Sequence, residues 1–177
     1  MNPNNSQLVR DIREALYDTV IVAANTAIGT RKVLFQTPQS STVGADATNM
    51  TKAGELPAPE RMSVYRVAVV FTYMLAADIA AVCKNYVIRV VVGGKSMLIS
   101  PLVLNQEPKI VATLASDIVL SAVAEVNLPE DFKIEIDQGQ PFYVELIATT
   151  GVTTVNTNGQ GLHARVLLDG VHTVQVN

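Results

Sequence analysis

The chain has 177 residues, of which 49% are hydrophobic and only 16% charged, with Lys and Arg numbering 13 against 16 Asp and Glu. That length suits one domain with a sizeable core, and the single cysteine, Cys83, excludes a disulfide-stapled fold. A net charge of −3 with scattered basic residues, Arg31-Lys32 being the densest group, excludes the electrostatic footprint of a nucleic-acid binder, so no specific nucleic-acid partner is expected.

The chain opens on Met1-Asn-Pro-Asn-Asn-Ser6, a polar start that predicts no signal peptide. From Ser6 to Tyr17, Leu8, Val9, Ile12, Ala15 and Leu16 recur at helical spacing, with Arg10, Asp11, Arg13 and Glu14 on the other face. This spacing predicts a short N-terminal helix, and residues 1–30 read either as a helix packed on the rest or as an arm that docks on a neighbouring subunit. Arg31 to Gln36 is the first expected strand. Residues 37–60 lack periodicity and are rich in breakers, among them Pro38, Gly44, Gly54, Pro57 and Pro59. A loop this long is expected to be functional, and an extended segment lying across a partner is one role for it.

Strand signals become regular from Arg61. Met62 to Tyr73 is apolar on both alternating faces, which predicts burial on both sides. The apolar window Val67 to Cys83 is broken by Thr72 and Asp78 and is too short for a spanning helix, so it reads as a strand followed by a turn or short helix. Tyr86–Val92 and Lys95–Ser100 flank Gly93-Gly94, a two-residue hairpin signal. Lys109–Leu114 reads as a strand, and Asp117–Val126 as a strand or a short helix. In the next run Phe132, Ile134 and Ile136 are expected to point inward and Lys133, Glu135 and Asp137 outward. Gln138 to Pro141 turns the chain, and Phe142, Val144 and Leu146 return inward. Gly151 to Gly161 reads as an exposed loop. At the end, Asp169-Gly170 between β-rich runs predicts a second two-residue hairpin.

The fold class this predicts is all-β: a single jelly-roll β-sandwich or barrel of about eight strands with a short N-terminal helix, spanning residues 1–177 as one domain. The charged fraction lies well below the roughly 25% of an average soluble domain. The apolar excess goes either into a well-filled core or into subunit interfaces, and the rarity of large exposed patches on monomers favours interfaces.

No catalytic set emerges, so no enzymatic activity and no cofactor are expected. Under the Asp169-Gly170 hairpin, His163 and His172 share a face but lie roughly 13 Å apart, too far to share a metal. Cys83 has no histidine near it in sequence. Gly93-Gly94-Lys95-Ser96 ends like a phosphate-binding loop but has Ile88 where the first glycine belongs. Glu135 and Asp137 share a strand face, as carboxylates ordinarily do on the wet side of an antiparallel strand. With no metal or catalytic set, the residues favoured for subunit contacts are Leu8, Ile12 and Leu16 on the helix and Leu56, Pro57 and Pro59 in the long loop.

The stretch Thr48-Asn-Met-Thr-Lys-Ala-Gly54-Glu-Leu-Pro57-Ala-Pro59-Glu-Arg-Met62, with the strand census after it, resembles the small jelly-roll major capsid proteins of tailless, icosahedral, membrane-containing phages of the Thermus-infecting type. The resemblance covers Thr48 to Val176 in pattern, and only Thr-Asn-Met and Leu-Pro-x-Pro are literal. It implies a capsid subunit of the virion, made in the host cytoplasm, that self-assembles into an icosahedral shell. Its implied partners are copies of itself, a second capsid protein and an underlying virion membrane; it implies no catalytic residues. The low charge content departs from what a hyperthermophile protein would carry. The alternative from the residues is a β-sandwich carbohydrate-binding or host-attachment module, against which stands the absence of tryptophan.

Overall fold

Alternating apolar residues can bury one face of a strand only against a second layer, and two antiparallel sheets face each other in this chain. The computed structural model describes residues 9–22, 31–72, 74–75, 83–101, 109–113, 118–148 and 162–175. The seven-stranded sheet has β1 (Val9–Val22), β11 (Leu162–Gln175), β3 (Arg61–Thr72) and β8 (Ile118–Asn127) in spatial order. Short strands β4 (Met74–Leu75), β7 (Lys109–Thr113) and β9 (Ile134–Ile136) extend it. The four-stranded sheet runs β2 (Arg31–Leu34), β10 (Phe142–Ala148), β5 (Tyr86–Val92), β6 (Lys95–Pro101). With β4, β7 and β9 set aside, the remaining eight strands pair first with last and third with sixth in one sheet, second with seventh and fourth with fifth in the other.

Inward rows lock the layers. In the first sheet Leu16, Leu168 and Val67 stand in one cross-strand row. In the second, Leu34, Val144 and Val90 do the same, and all six are buried in a single core. Phe35 and Phe142 tilt against each other there, with ring centroids 5.7 Å apart. The excess of aliphatic residues thus fills a core as well as leaving some of its members outside.

The expected N-terminal helix is a strand. Val9–Val22 pairs residue for residue with Leu162–Gln175 over the whole of β1. The helical spacing of Ile12, Ala15 and Leu16 also satisfies an alternation in which Ile12, Glu14, Leu16, Asp18 and Val20 face the other layer. The long edge of β11 decides between them, since a helix would leave its backbone groups unpaired. Leu8 lies outside the described residues, as does the expected exposed loop 151–161.

The closing hairpin is absent too, because β11 runs straight through Asp169-Gly170. Opposite that dipeptide β3 carries one extra residue: Asp169 faces Arg66 while Gly170 faces Val64, leaving Tyr65 as a bulge. Gly170 is needed for close approach, not for a turn. A Cβ there would lie 1.9 Å from the Ser63 carbonyl oxygen. The bulge also flips the faces of β3. Met62 and Val64 point inward before it, and Val67, Val69 and Phe71 after it. The uniform alternation expected along Met62–Tyr73 is therefore broken at Tyr65.

Other local readings hold. Gly93 and Gly94 form the hairpin turn, both at positive φ (59° and 78°), and Phe142, Val144 and Leu146 are buried. Asp117–Val126 resolves as strand over Ile118–Asn127. Phe132 does not join Ile134 and Ile136 inside. Glu130–Phe132 forms a 3-10 turn after Pro129, which breaks the alternation and leaves the ring 71% exposed.

The loop at 37–60 is tied to its own fold at several points. Asn49 acts as a surrogate strand residue against the free edge of β1: its Oδ1 accepts from Tyr17 N–H (2.7 Å) and its Nδ2 donates to Ala15 C=O (2.9 Å). Further on, Gly54 N–H donates to Phe35 C=O and Phe142 N–H to Gly54 C=O, both at 2.7 Å. Phe35 is held in the left-handed region (φ 66°) by this contact and by its own N–H, which donates to the Asp18 carboxylate. Burial holds the Asp18 carboxyl above its usual value, against the lowering effect of the Phe35 and Thr19 amides. The loop thereby ties the edge of one sheet to the other and covers an edge that would otherwise recruit strands.

Candidate functional site

The solvent faces of the two sheets differ in chemistry. On the seven-stranded sheet the outward side chains neutralise one another. Arg66 bridges Glu125 (2.9 Å) and Asp169 (3.0 Å), Ser63 donates to Glu135 (2.7 Å), and Arg165 lies 5.0 Å from the Tyr17 ring centre. On the four-stranded sheet one row crosses all four strands: Val33, Glu145, Arg89, Ile99. Its ends are open, Val33 being 44% and Ile99 61% exposed, and Met97, at the bulge in β6, is 50% exposed. A β-strand places such residues outward by alternation alone, since their neighbours Leu34 and Leu98 turn toward the core.

At the centre of that row sits a fully buried carboxylate. Glu145 pairs with Arg89 directly across the ladder and with Arg31 on the diagonal. A carboxylate out of water is tolerable only when cations and donors replace its hydration. The two guanidiniums, 56% and 31% exposed themselves, supply the cations, although Glu145 Oε1 is not aligned as a hydrogen-bond acceptor, and they keep a net positive centre between the apolar ends of the row. Fork geometry suits arginine to this role better than lysine. The pattern Arg31, Val33, Arg89 and Glu145 was open to inspection in the sequence; only the register of three strands brings it together.

A second cluster lies beside Glu14 and Leu16 of β1, in a cleft of about 210 Å³ under the long loop. His172, inward on β11 and nearly buried, has Nδ1 3.2 Å from a Glu14 carboxylate oxygen and Nε2 3.3 Å from one of Glu60. The Glu60 oxygen is near enough for attraction but is not aligned as a hydrogen-bond acceptor. The cluster joins β1, β11 and the loop. No set of three His, Cys, Asp or Glu able to hold a metal occurs among the described residues. His163 and His172 occupy one continuous strand, outward and inward respectively, and are roughly 30 Å apart along it, farther than the hairpin reading had them.

The sequence matches no protein-family model and no curated protein. No relative therefore assigns a role to either cluster, and the reading rests on geometry.

The residues favoured from sequence for subunit contacts fall in two groups. Leu16 and Leu56 are buried in the chain's own core, 4% and 2% exposed, so they have little surface to offer a neighbour. Ile12, Pro57 and Pro59 are half-buried, the last after a cis peptide bond. None of these five lies on the apolar outer sheet face. The signal that could have found that face was the β6 run Met97-Leu98-Ile99, where apolar residues on both parities leave two outward once one turns in. Cys83 is buried, and burial pushes its thiol up to about 11, away from nucleophilic use.

Proposed function

We propose that the chain is a structural subunit, a jelly roll that builds an icosahedral virion shell through contacts with copies of itself. The observation that carries this reading is the outer face of the four-stranded sheet, where Val33, Met97 and Ile99 stand open around the Arg31–Glu145–Arg89 group. Apolar area of that kind stays in water only at a cost and is removed by a partner surface. The pairing of strands first with last, second with seventh, third with sixth and fourth with fifth, alternating between sheets, supports the jelly-roll assignment. Both layers share one core and the loop covers the β1 edge, an arrangement that suits a part presenting one geometry to many neighbours.

Negative-stain microscopy and light scattering of the purified chain, over a series of protein and salt concentrations, test the reading. Rings, sheets or shell fragments are expected. Uniform monomeric particles under every condition would overturn it, and affinity of such a monomer for glycans would favour an attachment module instead.

A further inference from the structure

Four large apolar side chains stand exposed among the described residues, and they do not scatter. Val33, Met97 and Ile99 share the outer side of the four-stranded sheet, while Phe132 stands by itself on the turn between β8 and β9. That turn is tethered to the other layer: the Tyr65 hydroxyl donates to Glu130 (3.3 Å), and Leu128 N–H donates to Tyr65 C=O (2.7 Å). One chain cannot bring its Phe132 to its own apolar face, because the sandwich lies between them.

We infer that the Phe132 turn of one copy seats on the outer face of the four-stranded sheet of the next, a head-to-tail contact that rests on the reading of this chain as a self-assembling subunit. Charge selects a second copy as the occupant. Residues 130–137 hold four acids and one lysine, a net charge of −3. Lys133 is engaged by Glu135 (3.2 Å) and Glu130 (3.3 Å), which raise its pKa, and Asp131 forms no ion pair among the described residues. The sheet face has two guanidiniums against one carboxylate, and the Arg31 side chain is 56% exposed. Two such faces meeting each other would set like charges together and leave Phe132 in water. Phe132 on the sheet face buries apolar against apolar and sets Asp131 near Arg31.

The symmetry follows. Two different patches make a heterologous contact, which leaves each added copy with one patch free until a ring closes, so it propagates into rings or open filaments. One phenyl ring buries roughly 150–250 Å², far below the ~800 Å² per partner of a stable pair. Each contact is weak and the assembly is held by their number.

Sedimentation velocity on the full chain, on Phe132→Ser, on Ile99→Glu and on an equimolar mixture of the two variants tests the contact. Both positions are well exposed, so the variants should melt as the parent does; Met97→Ser replaces Ile99→Glu if that variant does not fold. The parent chain should form species beyond the dimer, and each variant by itself should associate at least about tenfold more weakly, as expected for loss of an aromatic anchor. The mixture should stop at dimers, since one variant keeps the knob and the other the face. If the parent assembles and either variant assembles equally well, or if the mixture gives no dimer, this contact is wrong while the shell reading stands. A parent chain that remains monomeric throughout overturns both.

Discussion

Replacing Gly170 with alanine should unfold this protein at a markedly lower temperature, although alanine is among the mildest substitutions. The added Cβ would sit 1.9 Å from the Ser63 carbonyl oxygen, 2.8 Å from its carbon and 2.9 Å from Val64 Cα. All three are backbone atoms of β3, and Ser63 is paired with β11 on one side and β9 on the other, so the strand cannot recoil without loosening a ladder. Overpacking costs about 1–3 kcal/mol, and a backbone clash of this depth belongs at the upper end. The smaller conformational freedom of unfolded alanine offsets about 0.4–1 kcal/mol. A net loss of ~2 kcal/mol lowers Tm by roughly 4–8 °C in a domain of this size. Thermal unfolding followed by circular dichroism reads it. Gly94→Ala is the control: its φ is 78°, but a Cβ there meets nothing within 4 Å, so it carries only the left-handed backbone penalty of about 1–2 kcal/mol. Were Gly170 at the tip of a hairpin, its substitution would cost no more than that at Gly94. A Gly170→Ala variant as stable as the parent, or more stable than Gly94→Ala, would refute the bulge argument.

Three further outcomes follow from the geometry. Asn49→Asp keeps the acceptor for Tyr17 N–H but loses the donor to Ala15 C=O. It should cost about 1–3 kcal/mol in urea unfolding, the price of leaving that edge carbonyl facing a carboxylate. Arg31→Ala with Arg89→Ala strips both cations from buried Glu145 and should destabilise by about 3–5 kcal/mol, whereas Arg31→Ala alone should cost less, because Arg89 remains. Equal losses in the two variants would contradict the paired arrangement. Cys83, buried with its thiol pushed up to about 11, should react with a thiol reagent at mildly alkaline pH only as fast as the protein opens, and at full rate in denaturant. Rapid labelling of the folded chain would show the site to be open.

How much could be read in advance depended on whether the deciding interaction was local. The Gly93-Gly94 turn was legible because two adjacent glycines alone supply the positive φ values a tight hairpin requires. The inward set Phe142, Val144, Leu146 was legible because alternation is a property of one strand. The apolar sheet face was partly visible in Met97-Leu98-Ile99, but its buried centre was not. Glu145, Arg31 and Arg89 come from three strands, and their meeting depends on register.

Composition and periodicity by themselves determined that this chain would be β-rich, with a substantial aliphatic core, because those follow from which side chains prefer a pleated surface and how often they recur. Tertiary structure decided the rest wherever one segment's conformation is set by another's needs. Ile12 and Leu16 lie on a strand because fourteen residues of β11 present backbone groups for pairing. Asp169-Gly170 runs straight because β3 bulges at Tyr65 and crowds the glycine. Phe132 faces water because the turn after Pro129 breaks the alternation before the ring can enter the core. Each is a choice between conformations that the local sequence nearly balances, and a neighbouring strand tips it.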